Sequence, residues 1–336
     1  MTINRAEKGG ALLAVLWMSA ALAAIAFTVS TTVRSEIDRV SGDSEGLRAH
    51  YLASGSVERA IQYMLWGGDY RNPDGSPRFW DFTQPRLTFR YASGDAIVQI
   101  MPESSKLSVN TATVEDLAKV IAAVGGPQAP AAAIAQAIIE WRGGGNSLDS
   151  FYLSFGPTFR PRHASFQEIE ELLSVRGVTS ELFYGSFVED AQGRLYARGG
   201  LRDCLSVWGS PAGPFDANSV SPALLDAMGV PGDVSARLMA LRPTTVFRTP
   251  ADLAAAGINS PRLTVGGNSI WSIRANARLR HPDGSPSDVV RSAGAVVKLL
   301  DRRQYFMMPV HVLRYYDDAW SEFAVAPPRG VVQKVQ

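Results

Sequence analysis

MTINRAEKGGALLAVLWMSAALAAIAFTVSTTVR, residues 1–34, decides how the rest of the chain is read. About 25 residues between Lys8 and Arg34 carry no charge, enough for a helix to cross a hydrocarbon core of ~30 Å. A secretory signal peptide has a shorter apolar run and ends it on a small-residue cleavage site. Here Thr-Thr-Val-Arg-Ser-Glu-Ile-Asp follows and reads as continuing helix. Arg5 and Lys8 precede the run with only Glu7 opposing them, whereas Arg34, Glu36, Asp38 and Arg39 mix signs after it. That asymmetry predicts a cytoplasmic N-terminus and an exported remainder. Composition alone also admits a plain single-pass anchor.

Beyond the apolar run, Ile37, Val40, Leu47, Tyr51, Ile61 and Leu65 recur at a spacing of three and four, interrupted by Ser44, Ser54 and Glu58. This predicts a long polar helix with a narrow apolar stripe, to be buried against its own domain or against partner helices. Gly42, Gly46 and Gly55 each weaken such a helix by roughly 1 kcal/mol relative to Ala.

The 336 residues allow two ordinary domains, and the net charge of +1 offers no general attraction to polyanions. Lone Cys204 excludes an internal disulfide and reads as a small buried apolar residue. His50, His163, His281 and His311 show no metal-binding spacing, and no P-loop or dinucleotide fingerprint is present. Gly42-Asp-Ser-Glu-Gly46 matches the G-x-S-x-G nucleophile pattern, but no strand precedes it, so the match reads as coincidence. No enzymatic activity is expected.

Residues 86–101 read as a hairpin turning at Ser93-Gly94-Asp95. Ile270–Leu279 alternates as a strand, Pro282-Asp-Gly-Ser285 forms a turn, and Ala293–Leu300 and Pro309–Tyr316 resume strand character. Pro73-Asp-Gly-Ser-Pro77 repeats the turn chemistry, with aspartates as turn formers. Between lies an Ala-rich helical stretch with an internal repeat: Leu107-Ser-Val-Asn110-Thr-Ala resembles Phe215-Asp-Ala-Asn218-Ser-Val. Each copy passes through a helix start capped by Asn or hydroxyl residues and a Gly-containing turn, into a second helix ending at Arg142 or Arg242. Further helical pieces, Ser165–Val175 with Gly177 and Thr249–Ala256 with Gly257, follow. The pattern is helix-hairpin-helix.

Taken in order, these pieces resemble general secretion pathway protein K, the large minor pseudopilin family of bacterial type II secretion. The start is similar to a class III prepilin leader (Arg5, Lys8, Gly9, then Gly10-Ala-Leu-Leu). Arg48-Ala-His-Tyr-Leu-Ala-Ser-Gly-Ser-Val-Glu-Arg-Ala60 is similar to that family's first helix. Asn110-Thr-Ala and Ala137-Ile-Ile-Glu-Trp141-Arg142 resemble its inserted domain, and Ile270-Trp-Ser-Ile-Arg-Ala its last strand region. The resemblance implies an α+β fold: a pilin-like long N-terminal helix on an antiparallel sheet, with a large inserted all-α domain. Its expected divisions are a leader (1–9), a transmembrane part of the first helix (10–33), a pilin-like unit in two parts (34–106 and 264–320), the insertion (107–263) and a flexible tail (321–336).

The same resemblance implies cleavage by a prepilin peptidase between Gly9 and Gly10 and methylation of the new N-terminus. It also implies an inner-membrane, periplasm-facing protein that initiates or caps the pseudopilus at its tip. Its partners would be other minor pseudopilins, met through the stripe Ile37, Val40, Leu47 and Tyr51. Ordinary pilins carry Glu at the fifth residue after the cut. Ala14 stands there, or Val15 if the cut follows Gly10, as suits a subunit with none above it. Relatives bind calcium through an acidic loop after the tryptophan helix. Here that loop offers only Asn146 and Asp149, against the six to eight oxygens calcium takes, so no cofactor is expected. The alternative reading is a membrane-tethered DNA-binding module. Against it, the first hairpin has no basic residue, and Pro127 and Pro130 lack amide hydrogens, so nucleic acid is not an expected partner.

Overall fold

The computed structural model describes residues 7–67, 69–125, 129–189, 193–266, 269–300 and 309–319. The leader residues Arg5 and those before Glu7, most of the Gly-Gly-Pro turn after Val124, and the expected tail lie outside them.

Helix α1 (Glu7–Gly67) is continuous over 61 residues, about 92 Å at 1.5 Å per residue. From Gly10 to Ser44 every residue is exposed. One uncharged segment of α1 is long and apolar enough to cross a membrane. The sheet-facing part starts at Gly46 and continues through Ala49, Ala53, Ser56, Val57, Ala60, Ile61, Met64 and Gly67. At about 100° per residue, this row lies on the side of α1 opposite Ile37, Val40, Leu47 and Tyr51. The expected single stripe is therefore divided: Ile61 turns inward at the edge of the sheet-facing row, and the residues before it stay outside.

The sheet-facing row is small because its partner surface is small. Five antiparallel strands follow one another in sequence order: β1 (Arg86–Tyr91), β2 (Gly94–Pro102), β3 (Ile270–Arg280), β4 (Pro286–Leu299) and β5 (Val310–Tyr316). Leu87, Val98, Ala275 and Ala293 form one cross-strand row under α1. Ala96, Ala277 and Ala295 lie beside it. Alanine against alanine brings helix and sheet close, and Phe89, Ile100, Trp271 and Ile273 supply the larger apolar area. Two other close backbone approaches require glycine. A Cβ on Gly67 would lie 1.9 Å from the Trp80 carbonyl oxygen, and one on Gly94 would lie 2.2 Å from that of Arg278.

The two Pro-Asp-Gly-Ser turns are built alike. Asp74 Oδ1 accepts hydrogen bonds from Ser76 N and Oγ at 2.9 and 2.6 Å, and Asp283 Oδ1 does the same for Ser285 at 2.9 and 2.6 Å. The aspartates are turn formers, as the sequence predicts.

Residues between β2 and β3 build a second core around Leu117, Ile121, Ile138, Phe166, Phe183, Phe215, Leu224 and Phe247. Its main helices are α2 (Val114–Gly125), α3 (Ala131–Ile139), α4 (Pro222–Ala227), α5 (Gly232–Leu241) and α6 (Pro250–Ala255). In α2, Leu117, Val120, Ile121 and Val124 follow the spacing of one helical face and are all buried. The insertion is not purely helical. Leu107–Ser108 pairs in parallel with Leu205–Ser206, Phe215–Asp216 pairs in parallel with Leu263–Thr264, and Ser186–Glu189 forms a hairpin with Leu195–Arg198. Two-residue strands carry too little periodicity to be read from sequence.

The insertion is fastened to the sheet by polar side chains. Buried Glu103, just after β2, accepts hydrogen bonds from Ser206 in the insertion and Ser272 on β3. Glu168 pairs with Arg314 on β5 and accepts a 3.1 Å hydrogen bond from the Tyr316 hydroxyl. These ties sit where β2 ends and β3 begins. Gly46, by contrast, lies against Arg291 on β4 and Leu52 lies near Gly94, at the other end of the sheet. The inserted mass is thus held at the end remote from the apolar part of α1.

Candidate interaction surface

Exposure defines the first element of the surface. Ile37, Val40, Leu47 and Tyr51 are 61%, 53%, 55% and 67% exposed. They lie on α1 within two to three turns of the point where the sheet begins. Val33, Ile37, Val40 and Arg48 form one wall of an open groove, and Leu279 and Pro282 at the end of β3 form the other. Leaving such side chains in water forgoes roughly 1.5–3 kcal/mol each relative to full burial. The exposed stripe is continuous with a membrane-length apolar run and leaves a contiguous apolar surface on α1. Gly9 and Gly10 lie in the first turn of α1. The G-x-S-x-G stretch Gly42–Gly46 also lies inside the helix, so it forms no nucleophile turn.

The polar residues of the internal repeat occupy a different role from a ligand site. Asn110 Nδ2 donates to the Phe166 carbonyl at 3.0 Å, and its Oδ1 accepts from Phe166 N at 2.7 Å. Asn218 makes the same pair with Phe247, at 2.9 and 3.0 Å. Arg142 donates to the carbonyls of Val109 and Ala112 at 2.5 and 2.7 Å, and Arg242 donates to that of Val220 at 2.6 Å. Burial lowers the pKa of both guanidiniums, and Asp216 partly offsets this for Arg242. Each module is therefore closed by an asparagine that mimics a strand partner and an arginine that covers the carbonyls before its first helix. The sequence shows the Asn and Arg of the two copies. It also holds the third member, in Phe166-x-Glu168 and Phe247-x-Thr249, each followed by a short helical segment and a glycine of positive φ, Gly177 or Gly257. Extending the repeat past the arginines would have found the two phenylalanines.

Just before Trp141, buried Glu140 reaches over the loop that follows, accepting from Ser147 Oγ at 2.6 Å and from Leu148 N. Asp149 Oδ1 meets His163 Nε2 at 3.0 Å. Both carboxylates already have partners, and no cluster of three metal-ligating side chains occurs among the described residues. Cys204 is buried with its Sγ 3.2 Å from Ser221 Oγ, and burial pushes its thiol up to about 12.

A long helix protruding from an antiparallel sheet, with small residues at the contact and an apolar stripe left uncovered, defines the pilin-like class of α+β fold. No family model and no curated protein matches the sequence. Among solved structures the chain is similar to a chain of the GspK–GspI–GspJ complex from the type 2 secretion system of enterotoxigenic Escherichia coli. The TM-score is 0.54 at 15% identity, covering 84% of this chain and 100% of that one. At that identity the likeness establishes the pseudopilin-like fold.

Proposed function

We propose that this chain is a K-type minor pseudopilin that initiates or caps a periplasmic type II secretion pseudopilus at its tip. The reading rests on one observation above all: a two-module domain inserted between β2 and β3, at the end of the pilin-like unit remote from the membrane-length apolar run. A fibre subunit must offer surfaces above and below. A mass of this size at the upper end leaves no room for an identical neighbour at the close rise of a pilin helix. The neighbour's occurrence with two further pseudopilins supports the same assignment of partners. In this reading α1 first anchors the chain in the inner membrane with its N-terminus in the cytoplasm. It then packs among partner helices through Ile37, Val40, Leu47 and Tyr51. The role is mechanical and needs neither catalysis nor a cofactor. Leader removal after Gly9 by a prepilin peptidase precedes assembly, and Arg5 and Lys8 keep the leader on the cytoplasmic side.

The test is mass spectrometry of the protein extracted from membranes of cells with active prepilin peptidase. An N-terminus at Gly10, methylated, is expected, and replacing Gly9 with Leu should block the cut. An intact N-terminus would sink the reading. Quantitative labelling should then find about one copy per fibre, whereas copies along the fibre's length would exclude the tip position.

A further inference from the structure

The face of the sheet turned away from α1 has its own chemistry. Strand residues alternate between faces, and the inward positions Phe89, Ala96, Val98, Ala275 and Ala277 are buried under α1. The outward positions are therefore Arg86, Thr88 and Arg90 on β1, Asp95, Ile97 and Gln99 on β2, and Arg274, Asn276, Arg278 and Arg280 on β3. Register places them in three rows: Arg90, Asp95, Arg278; then Thr88, Ile97, Asn276; then Arg86, Gln99, Arg274. Ile97 stands at the centre, 44% exposed, with arginines at the corners. Val290, which is paired with Arg278, is 48% exposed beside them.

The charge is unbalanced. Asp95 is the only carboxylate on β1, β2 and β3, and Arg280 holds it through two contacts of 2.6 and 2.7 Å. Arg86, Arg90 and Arg278 are exposed and make no side-chain hydrogen bond or ion pair among the described residues. With strands ~4.8 Å apart and ~3.4 Å per residue, Arg90 and Arg278 stand about 10 Å apart and Arg86 and Arg90 about 14 Å. An apolar centre inside a rim of charge is the arrangement of a protein-binding hot spot. β1 is also an edge strand, paired only with β2.

We infer that this outer face is a docking surface for an acidic, extended segment of another protein, whose apolar side chains cover Ile97 and Val290 and whose carboxylates meet Arg86, Arg90 and Arg278. Charge complementarity chooses the occupant. A lipid surface is the weaker fit: the sheet first touches α1 at Gly46, twelve residues past Arg34, or about 18 Å along the helix beyond the apolar run. The inference stands whether or not the chain occupies a fibre tip.

The probe is a fluorescein-labelled octapeptide alternating glutamate with valine, titrated by anisotropy against the full chain in non-ionic micelles at low salt. Saturable binding is expected, weakened tenfold or more by R86E/R90E/R278E and threefold or more by Ile97→Asp. Reversal of two exposed arginines elsewhere, R160E/R237E, should leave the affinity within twofold. Circular dichroism checks each variant. If the triple variant loses its fold, Arg90→Gln alone replaces it, with threefold weakening expected. No binding at millimolar peptide overturns the proposal. So does an equal loss in R160E/R237E, or equal affinity for an all-glutamate peptide, which would mark adsorption by charge. Displacement of the peptide by phosphatidylglycerol vesicles at lipid concentrations where phosphatidylcholine vesicles have no effect would reassign the face to a membrane surface.

Discussion

Replacing Asn110 by Ala removes two hydrogen bonds that join residues 56 apart in the chain, Nδ2 to the Phe166 carbonyl at 3.0 Å and Phe166 N to Oδ1 at 2.7 Å. Phe166 is itself fully packed in the insertion's core. The backbone groups left behind cannot all reach water, and an orphaned buried donor or acceptor costs about 1–3 kcal/mol. Two such groups, partly relieved by relaxation, should cost about 2–4 kcal/mol. In a domain of this size that lowers the unfolding midpoint by roughly 5–15 °C. Asn218→Ala should cost a similar amount, because its contacts with Phe247 repeat the geometry at 2.9 and 3.0 Å. Asn110→Asp keeps the acceptor but turns a carboxylate oxygen toward the Phe166 carbonyl, so it should not rescue stability near neutral pH. Thermal unfolding of the full chain in micelles, followed by circular dichroism, measures all three, with exposed Asn72→Ala as the control. Midpoints for Asn110→Ala and Asn218→Ala within 1–2 °C of the control would refute the clamp reasoning. A large loss at only one of them would refute the equivalence of the modules.

Three further outcomes separate the roles assigned above. Val40→Glu or Leu47→Glu should leave the stability of the isolated protein unchanged within about 0.5 kcal/mol, since both side chains are exposed, yet, on the proposed function, weaken co-purification with minor pseudopilins. Ala53→Glu, on the sheet-facing side, should instead unfold the helix–sheet unit, and the reverse pattern would mean that the two faces have been exchanged. Millimolar calcium should shift the midpoint by less than about 1 °C, since stabilisation follows RT ln(1 + [L]/Kd) and Glu140 and Asp149 are already engaged. A rise of many degrees would mean that other ligands assemble. Cys204 should resist iodoacetamide at pH 8 in the folded chain and react fully in denaturant. Its raised folded pKa, about 12 against 9.0 for the free thiol, leaves stability untouched below pH 9 and erodes it as pH climbs toward 12, because only the unfolded thiol ionises there. Rapid alkylation of the native protein would show that the site opens.

The sequence by itself determined the features whose physics is local. The run from Gly9 to Val33 reads as a membrane-length helix because it carries no charge and its few hydroxyls can bond to the helix's own carbonyls. The turns at Asp74 and Asp283 follow from side chains that bond their own backbone two residues on. The hairpin of β1 and β2 is set by alternation around Gly94, and the modules were legible as far as Asn110, Arg142, Asn218 and Arg242, because a repeat needs no knowledge of space. Tertiary structure alone decided which side of α1 is buried. Alanines and glycines carry weak hydropathy, so the row Gly46, Ala49, Ala53, Ala60 is overshadowed in sequence by the larger Ile37, Val40, Leu47 and Tyr51. Only the close approach of an alanine-lined sheet makes the small row the inner one. The same holds for Asn110 and Asn218. They look like helix caps until Phe166 and Phe247, 56 and 29 residues away, arrive to take both ends of each amide. The arginine rim around Ile97 also exists only once β1, β2 and β3 are in register, since residues 90 and 278 come to share a row through strand pairing that no local pattern encodes.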